Sequence, residues 1–209
     1  MIIKQFILGS IENNNYLLID DNQEGKKEAV LIDCTEYSDE IVKTLEKHNA
    51  TLKYILLTHG HFDHILGVND FKNKYSDCKI LVNKNDENLL SDVGKFAQYF
   101  GLQNAEAQKV DGFVEENQII NFGQKEIKVI ETSGHTLGGV CYLIDDNLFT
   151  GDTLFYESVG RTDLPGGNFN ELKSNIQEKL FTLDENIKVY PGHGPSSTIG
   201  HEKINNQFL

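Results

Sequence analysis

The sequence predicts an α/β fold in one domain, on three observations. Two continuous apolar runs, Ala29–Ile32 and Tyr54–Leu57, are each followed by a segment with helical spacing of apolar residues. From Phe113 onward the pattern changes to short strands separated by polar turns such as Asp145-Asp146. The 209 residues contain no linker and no low-complexity stretch, so a single compact domain over 1–209 is the simplest organisation.

In order, Ile2–Leu8 and Asn15–Ile19 read as paired strands, joined by a turn over Ser10–Asn14. Asp20–Lys27 is a polar loop, and Asp33 ends the strand Ala29–Ile32. Glu40–His48 carries Ile41, Val42 and Leu45 at helical spacing, with His48 at the negative end of the helix dipole, a structural or surface position. Tyr54–Leu57 is the next strand. A helix with Ile65, Val68, Phe71 and Tyr75 on one face follows, then a strand over Lys79–Val82. Glu87–Leu102 reads as one helix, either a lid over a pocket or an ordinary helix packed on the sheet. Strands follow at Gln118–Phe122, Lys125–Ile130, Val140–Ile144 and Asn147–Phe149. Asn168–Leu180 is a helix with capping-box spacing at Asn168 and Glu171. Ile187–Tyr190 is the last strand, with a short helix through Ile199–Asn206.

Composition narrows the function classes. A net charge of −13 without a Lys/Arg cluster argues against nucleic acid as a partner. No stretch approaches the ~20 apolar residues of a membrane span, and the apolar N-terminus is too short for a secretory leader. Cys34, Cys78 and Cys141 form no CxxC and suggest packed thiols in a reducing compartment, so a cytoplasmic location is expected.

The chemistry gathers where strands end. Thr58-His59-Gly60-His61-Phe62-Asp63-His64 follows the strand Tyr54–Leu57. Its three imidazoles and one carboxylate suit zinc, iron or manganese. On an extended turn His59 and His61 point to one side, while Asp63 and His64 can address a second point. Three later stretches repeat the design of strand, glycine and ligand-type residue: Ser133-Gly134-His135, Gly151-Asp152-Thr153 and Pro191-Gly192-His193-Gly194. Five of the seven histidines thus lie on strand-end loops.

With these residues in hand, the chain resembles the metallo-β-lactamase superfamily over essentially its whole length. His59, His61, Asp63 and His64 meet the HxHxDH pattern, His135, Asp152 and His193 follow in the family's order, and Asp33 meets the early strand-ending Asp. The resemblance implies a four-layer αββα sandwich with metals at one edge of the two sheets. It implies that His59, His61 and His135 hold one divalent ion, that Asp63, His64 and His193 hold a second, and that Asp152 bridges both. Asp33 is then a support that positions the HxHxDH turn, or alternatively a helix or turn cap. Two divalent ions and a bridging hydroxide among five neutral imidazoles and two carboxylates leave a charge of about +1, which attracts an anionic substrate.

The stretch Gly151–Gly167 is similar to glyoxalase II-like thioester hydrolases, especially the short bacterial type, and the C-terminal helical domain of the long type is not expected here. That similarity implies attack by a metal-bridging hydroxide, with Asp63 and Asp152 as the catalytic carboxylates, zinc the leading metal and iron or manganese open. The expected substrate is a small anionic thioester, met by Arg161 unless that side chain is spent on a salt bridge to Asp163. Gly160-Arg161-Thr162-Asp163 also resembles persulfide dioxygenases, which would use one iron on His59, His135 and Asp152. A non-catalytic metal-binding protein is the third reading. Oligomeric state has no signal in the sequence.

Overall fold

A computed structural model describes residues 1–22, 24–99, 101 and 105–209. The chain opens with the hairpin β1 (Ile2–Leu8) and β2 (Asn13–Ile19), followed by β3 (Lys27–Ile32), α1 (Asp39–Lys47) and β4 (Ala50–Leu56). Two short helices, α2 (Phe62–Ile65) and α3 (Val68–Lys74), lead to β5 (Lys79–Asn83). A 3-10 turn over Lys84–Asp86 enters α4 (Glu87–Ser91), then come α5 (Val93–Tyr99) and β6 (Gly112–Val114). The second half runs β7 (Ile119–Phe122), β8 (Lys125–Glu131), β9 (Val140–Ile144), β10 (Asn147–Gly151), and a small ribbon of β11 (Leu154–Phe155) and β12 (Ser158–Val159). It ends with α6 (Phe169–Asn175), which widens into a π turn over Ile176–Leu180, then β13 (Lys188–Pro191), β14 (Ser197–Thr198) and α7 (Ile199–Asn205).

The long strands form two sheets, in the orders β1-β2-β3-β4-β5-β6 and β14-β13-β10-β9-β8-β7. In the first, β3, β4, β5 and β6 run parallel, because helices carry the chain back between them. In the second, β7 to β10 form an antiparallel meander and β13 joins β10 in parallel.

Strand periodicity sorts the apolar residues into three core layers. Leu17, Ile19, Ala29 and Leu31 face out from the first sheet onto Ile41, Leu45, Phe71 and Leu90 of its helices. Their neighbours Leu18, Val30 and Ile32 face inward and meet Val129, Val140, Tyr142 and Phe149 between the sheets. Cys141 and Leu148 face the other way, onto Leu172, Ile176, Leu180 and Ile199. Continuous apolar runs such as Ala29–Ile32 are therefore strands buried on both faces, and the layers are helix, sheet, sheet, helix.

The expected strands and helices are found with shifted ends, β4 for example beginning at Ala50 and not at Tyr54, and three differences have a local cause. Strand β2 begins at Asn13, earlier than expected, because three asparagines of low strand propensity are buried with hydrogen-bond partners. The helix after the histidine turn is broken between α2 and α3. There Gly67 lies so close to Glu36 that a Cβ would stand 2.5 Å from its carbonyl carbon. The stretch Glu87–Leu102 is two helices divided at Asp92, with Phe100 and Leu102 outside the described residues. Leu90, Val93 and Ala97 are buried in the outer core layer, which is the packed-helix alternative and not a lid. Among the described residues no helix is long and apolar enough to cross a membrane.

Candidate metal centre

Strands β3 and β4 lie side by side and deliver Asp33 and the histidine turn to the same edge. Asp33 takes a left-handed backbone conformation (φ 59°), which turns the chain out of β3 and leaves its carboxylate facing the turn. Its Oδ1 accepts from the Thr58 backbone N–H at 2.8 Å, and its Oδ2 accepts from Thr58 Oγ1 at 2.8 Å. Oδ2 also accepts from His64 Nδ1 at 2.8 Å. The carbonyl of Thr58 accepts from Val140 N–H at 2.8 Å, which ties the turn to the second sheet. Asp33 is thus both a turn cap and the support of a histidine, so its two sequence readings describe one set of bonds.

The structure brings all seven residues of the expected set together. The ligand-type atoms of His59, His61 and His135 lie within 4.8 Å of one another, as do those of Asp63, His64 and His193, and of His59, His64 and Asp152. Within the first trio, His61 Nδ1 is 2.9 Å from His135 Nε2. Within the second, Asp63 Oδ2 is 3.2 Å from His193 Nε2 and 3.6 Å from His64 Nε2. Asp152 lies between the trios, with Oδ1 3.3 Å from His64 Nε2 and Oδ2 3.6 Å from His135 Nε2.

These donors fit a divalent ion. Among the described residues, His59 Nε2 and Asp152 Oδ1 are buried without a hydrogen-bond partner, a costly arrangement that a cation relieves. Burial, reinforced by neighbouring imidazoles, holds His59 well below the ordinary imidazole range and His61 down to about 3, so both are neutral donors at pH 7. At His64 burial acts in the same direction but is outweighed by Asp33, Asp152 and Asp63, which push it well up. At Asp152 burial is outweighed by His64, His135 and His193, which hold the carboxylate ionised.

The far nitrogen of three imidazoles is engaged, which fixes the tautomer that presents Nε2 to the centre. His64 Nδ1 donates to Asp33, and His135 Nδ1 donates to the carbonyl of Arg161 at 2.7 Å. Thr58 gives its hydroxyl proton to Asp33 and can accept from His59 Nδ1 at 3.1 Å. Arg161 therefore acts on the centre through its backbone, a role invisible in sequence. Its guanidinium makes two hydrogen bonds to Asp163, at 2.7 and 2.8 Å, the salt-bridge alternative foreseen for it.

Residues the sequence reading missed hold the loops. Asn14 donates its backbone N–H to Gly192 O at 2.7 Å, and its side-chain amide to Pro191 O at 3.0 Å and Gly194 O at 2.9 Å. Asn13 Nδ2 is 2.7 Å from His64 Nε2, and Asn15 hydrogen-bonds Thr35. Asp86 bonds both loops of the first trio. The run Asn13-Asn14-Asn15 in an otherwise apolar strand was the available signal for the first three. Asp86, one acid among many, gave none. His48 caps α1, and His201 pairs with Glu157 at 3.0 Å, both outside the centre.

A cavity of about 370 Å³ opens over the centre. Ile11, Phe62, Phe155, Val159 and Leu164 form apolar walls beside His61, Asp63, His135, Asp152 and His193, and Arg161 also lines it. An adjoining cavity of about 110 Å³ shares Ile11, Phe62 and Asp63 with it.

A model of the metallo-beta-lactamase superfamily matches residues 11–201. The chain is 35% identical over 202 residues to a probable metallo-hydrolase of Streptococcus pyogenes, covering 94% of this chain and 85% of the relative. It is 34% identical over 203 residues to hydroxyacylglutathione hydrolase GloC of Haemophilus influenzae, covering 96% and 94%. Among solved structures it is similar to the BLEG-1 B3 metallo-beta-lactamase, at TM-score 0.89 and 33% identity over 100% of this chain and 99% of the other. It is also similar to TTHA1623 in a di-iron-bound form, at TM-score 0.86 and 30% identity over 99% and 100%. ETHE1 from Myxococcus xanthus follows at TM-score 0.76 and 28% identity over 99% and 84%. With its αββα layers and the histidine–aspartate cluster at their edge, the chain belongs to the metallo-β-lactamase superfamily.

Proposed function

We propose that this chain is a dinuclear metal-dependent thioester hydrolase, of the type that cleaves S-acyl conjugates of small anionic thiols. The observation that carries the reading is the pair of donor trios with one oxygen of Asp152 directed toward each. In this reading His59, His61 and His135 hold one ion, Asp63, His64 and His193 the other, and Asp152 both. When bound, such ions acidify a water toward neutral pH and polarise the substrate carbonyl. Zinc is the first candidate, with iron and manganese accepted by the same donors.

The remaining work falls to the chain's own residues. Asp33 and the Arg161 carbonyl keep His64 and His135 facing the reacting volume. The apolar walls at Phe62, Phe155 and Leu164 shelter that volume from bulk water. Arg161 receives the anionic end of the substrate. Its pair with Asp163 is more than half exposed, and a substrate carboxylate can displace such a bond. A thiolate leaving group needs little acid assistance, which suits a site where Asp63 is committed to a donor trio. The likeness to GloC supports the thioester, and the net charge of −13 argues against nucleic acid.

A second reading, a persulfide dioxygenase with one iron on His59, His135 and Asp152, gains support from the similarity to ETHE1. Metal analysis paired with two assays separates the readings. Two ions per chain with oxygen-independent thioester hydrolysis is the expected result. One iron with oxygen uptake on glutathione persulfide would replace the hydrolase reading with the second.

A further inference from the structure

Asp86 belongs to neither donor trio, yet its carboxylate is bound to the loops of one of them. It is buried at the end of the turn that follows β5. Oδ2 accepts from the Gly60 N–H at 2.9 Å and from Thr136 Oγ1 at 2.7 Å, and Oδ1 accepts from the Gly138 N–H at 2.7 Å. Gly60 sits between His59 and His61, and Thr136 directly follows His135. Both glycines are required by closeness to this segment. A Cβ at Gly60 would stand 2.7 Å from Leu89 Cβ, and one at Gly138 would stand 2.7 Å from Asp86 Cγ. Three donors converge on two oxygens, so a carboxylate satisfies them all. An amide offers one acceptor oxygen and turns its NH₂ against a backbone N–H.

The second trio is held by other residues. His64 is bound by Asp33, and the His193 loop by Asn14 and by Tyr16, whose hydroxyl donates to Pro191 O at 2.7 Å. Among the described residues, no hydrogen bond of Asp86 reaches Asp63, His64 or His193.

We propose that Asp86 is a positioning residue for the trio His59, His61 and His135 alone, so that this metal position can be weakened while the other stays filled. The inference rests on the dinuclear reading above.

Full-length protein loaded with Zn²⁺ and dialysed, with metal counted by mass spectrometry, tests it. Wild type is expected to hold two ions. Asp86→Asn is expected to hold one, with affinity at the lost position down about 10- to 100-fold. Combining variants identifies that position. Asp86→Asn with His193→Ala should hold no metal, whereas Asp86→Asn with His135→Ala should hold one, like His135→Ala by itself. A general loss of structure would lower both combinations equally. Two ions bound to Asp86→Asn at wild-type affinity, or none bound to the His135→Ala combination, would overturn the proposal. If Asp86→Asn does not fold, Thr136→Val removes one of the three bonds. It should weaken the same position several-fold, and unchanged affinity would overturn the proposal equally. Fewer than two ions in wild type would instead refute the dinuclear reading, and this inference with it.

Discussion

At Asp152 one oxygen lies near His64 and the other near His135, so its removal should disturb both donor trios together. Asp152→Ala is expected to lose bound metal and hydrolytic activity in parallel, and two ions retained in this variant would contradict a bridging role. His201→Ala provides the contrast, since its ring stacks on Tyr156 and pairs with Glu157, away from the centre. Its metal content should equal wild type. At Arg161 the two sequence readings become a competition between Asp163 and a substrate anion. Arg161→Ala should raise KM for an anionic thioester about 10-fold with kcat little changed, as expected for binding shared by ground and transition states. Asp163→Ala should lower KM by releasing the guanidinium. Equal KM values in both variants would remove Arg161 from the binding site.

Among the elements, α6 shows how a helix start is tied to the centre. Asn168 caps it by accepting from the Glu171 N–H at 3.2 Å, as the spacing predicts. The return bond of a capping box is diverted. The Glu171 carboxylate takes the Ser133 hydroxyl, and the Asn168 N–H goes to Gly134 O. The helix is thereby stitched to the loop of His135. Asn168→Ala should lower stability by about 1 kcal/mol in urea unfolding. Gly134 lies at φ +130°, where a Cβ would stand 2.4 Å from Leu172 N. Gly134→Ala combines a strained backbone with an overlap, so a loss of about 1–3 kcal/mol or more is expected, with weaker metal retention because the His135 loop must move. Wild-type stability in Gly134→Ala would show that α6 can give way without cost.

Across the molecule, the centre concentrates opposing protonation preferences. Burial keeps His59 and His61 uncharged, His61 down to about 3, whereas an unfolded imidazole titrates near 6.5. Between those values the unfolded chain takes a proton that the folded chain refuses, so stability falls as pH drops below about 6.5. His64 and His193 are pushed the other way by their carboxylates, against the effect of burial. Their stabilisation is fully present below about 6.5 and is lost as pH rises through their raised values. After chelation, the melting temperature is therefore expected to peak near pH 6.5 and to decline on both sides. Added zinc should extend the stable range upward, because an ion replaces the proton on His64. A chelated protein whose melting temperature climbs steadily from pH 6.5 to 8 would contradict these assignments.

What the sequence determined by itself was local or periodic. Apolar runs marked the doubly buried strands, helical spacing marked α1 and α3, and His59–His64, His135, Asp152 and His193 stood out because ligand-type residues beside glycine at strand ends are rare in combination. Only the tertiary structure decided what holds them. Asp86 meets Gly60 and Gly138 across 26 and 52 positions, and Asn14 meets Pro191 and Gly194 across 177 and 180. A single Asp or Asn carries no mark of so distant a partner. The break at Gly67 and the backbone role of Arg161 were hidden for the same reason: each depends on which main-chain atom arrives beside it, and that is fixed by the packing of two sheets and not by neighbours in the chain.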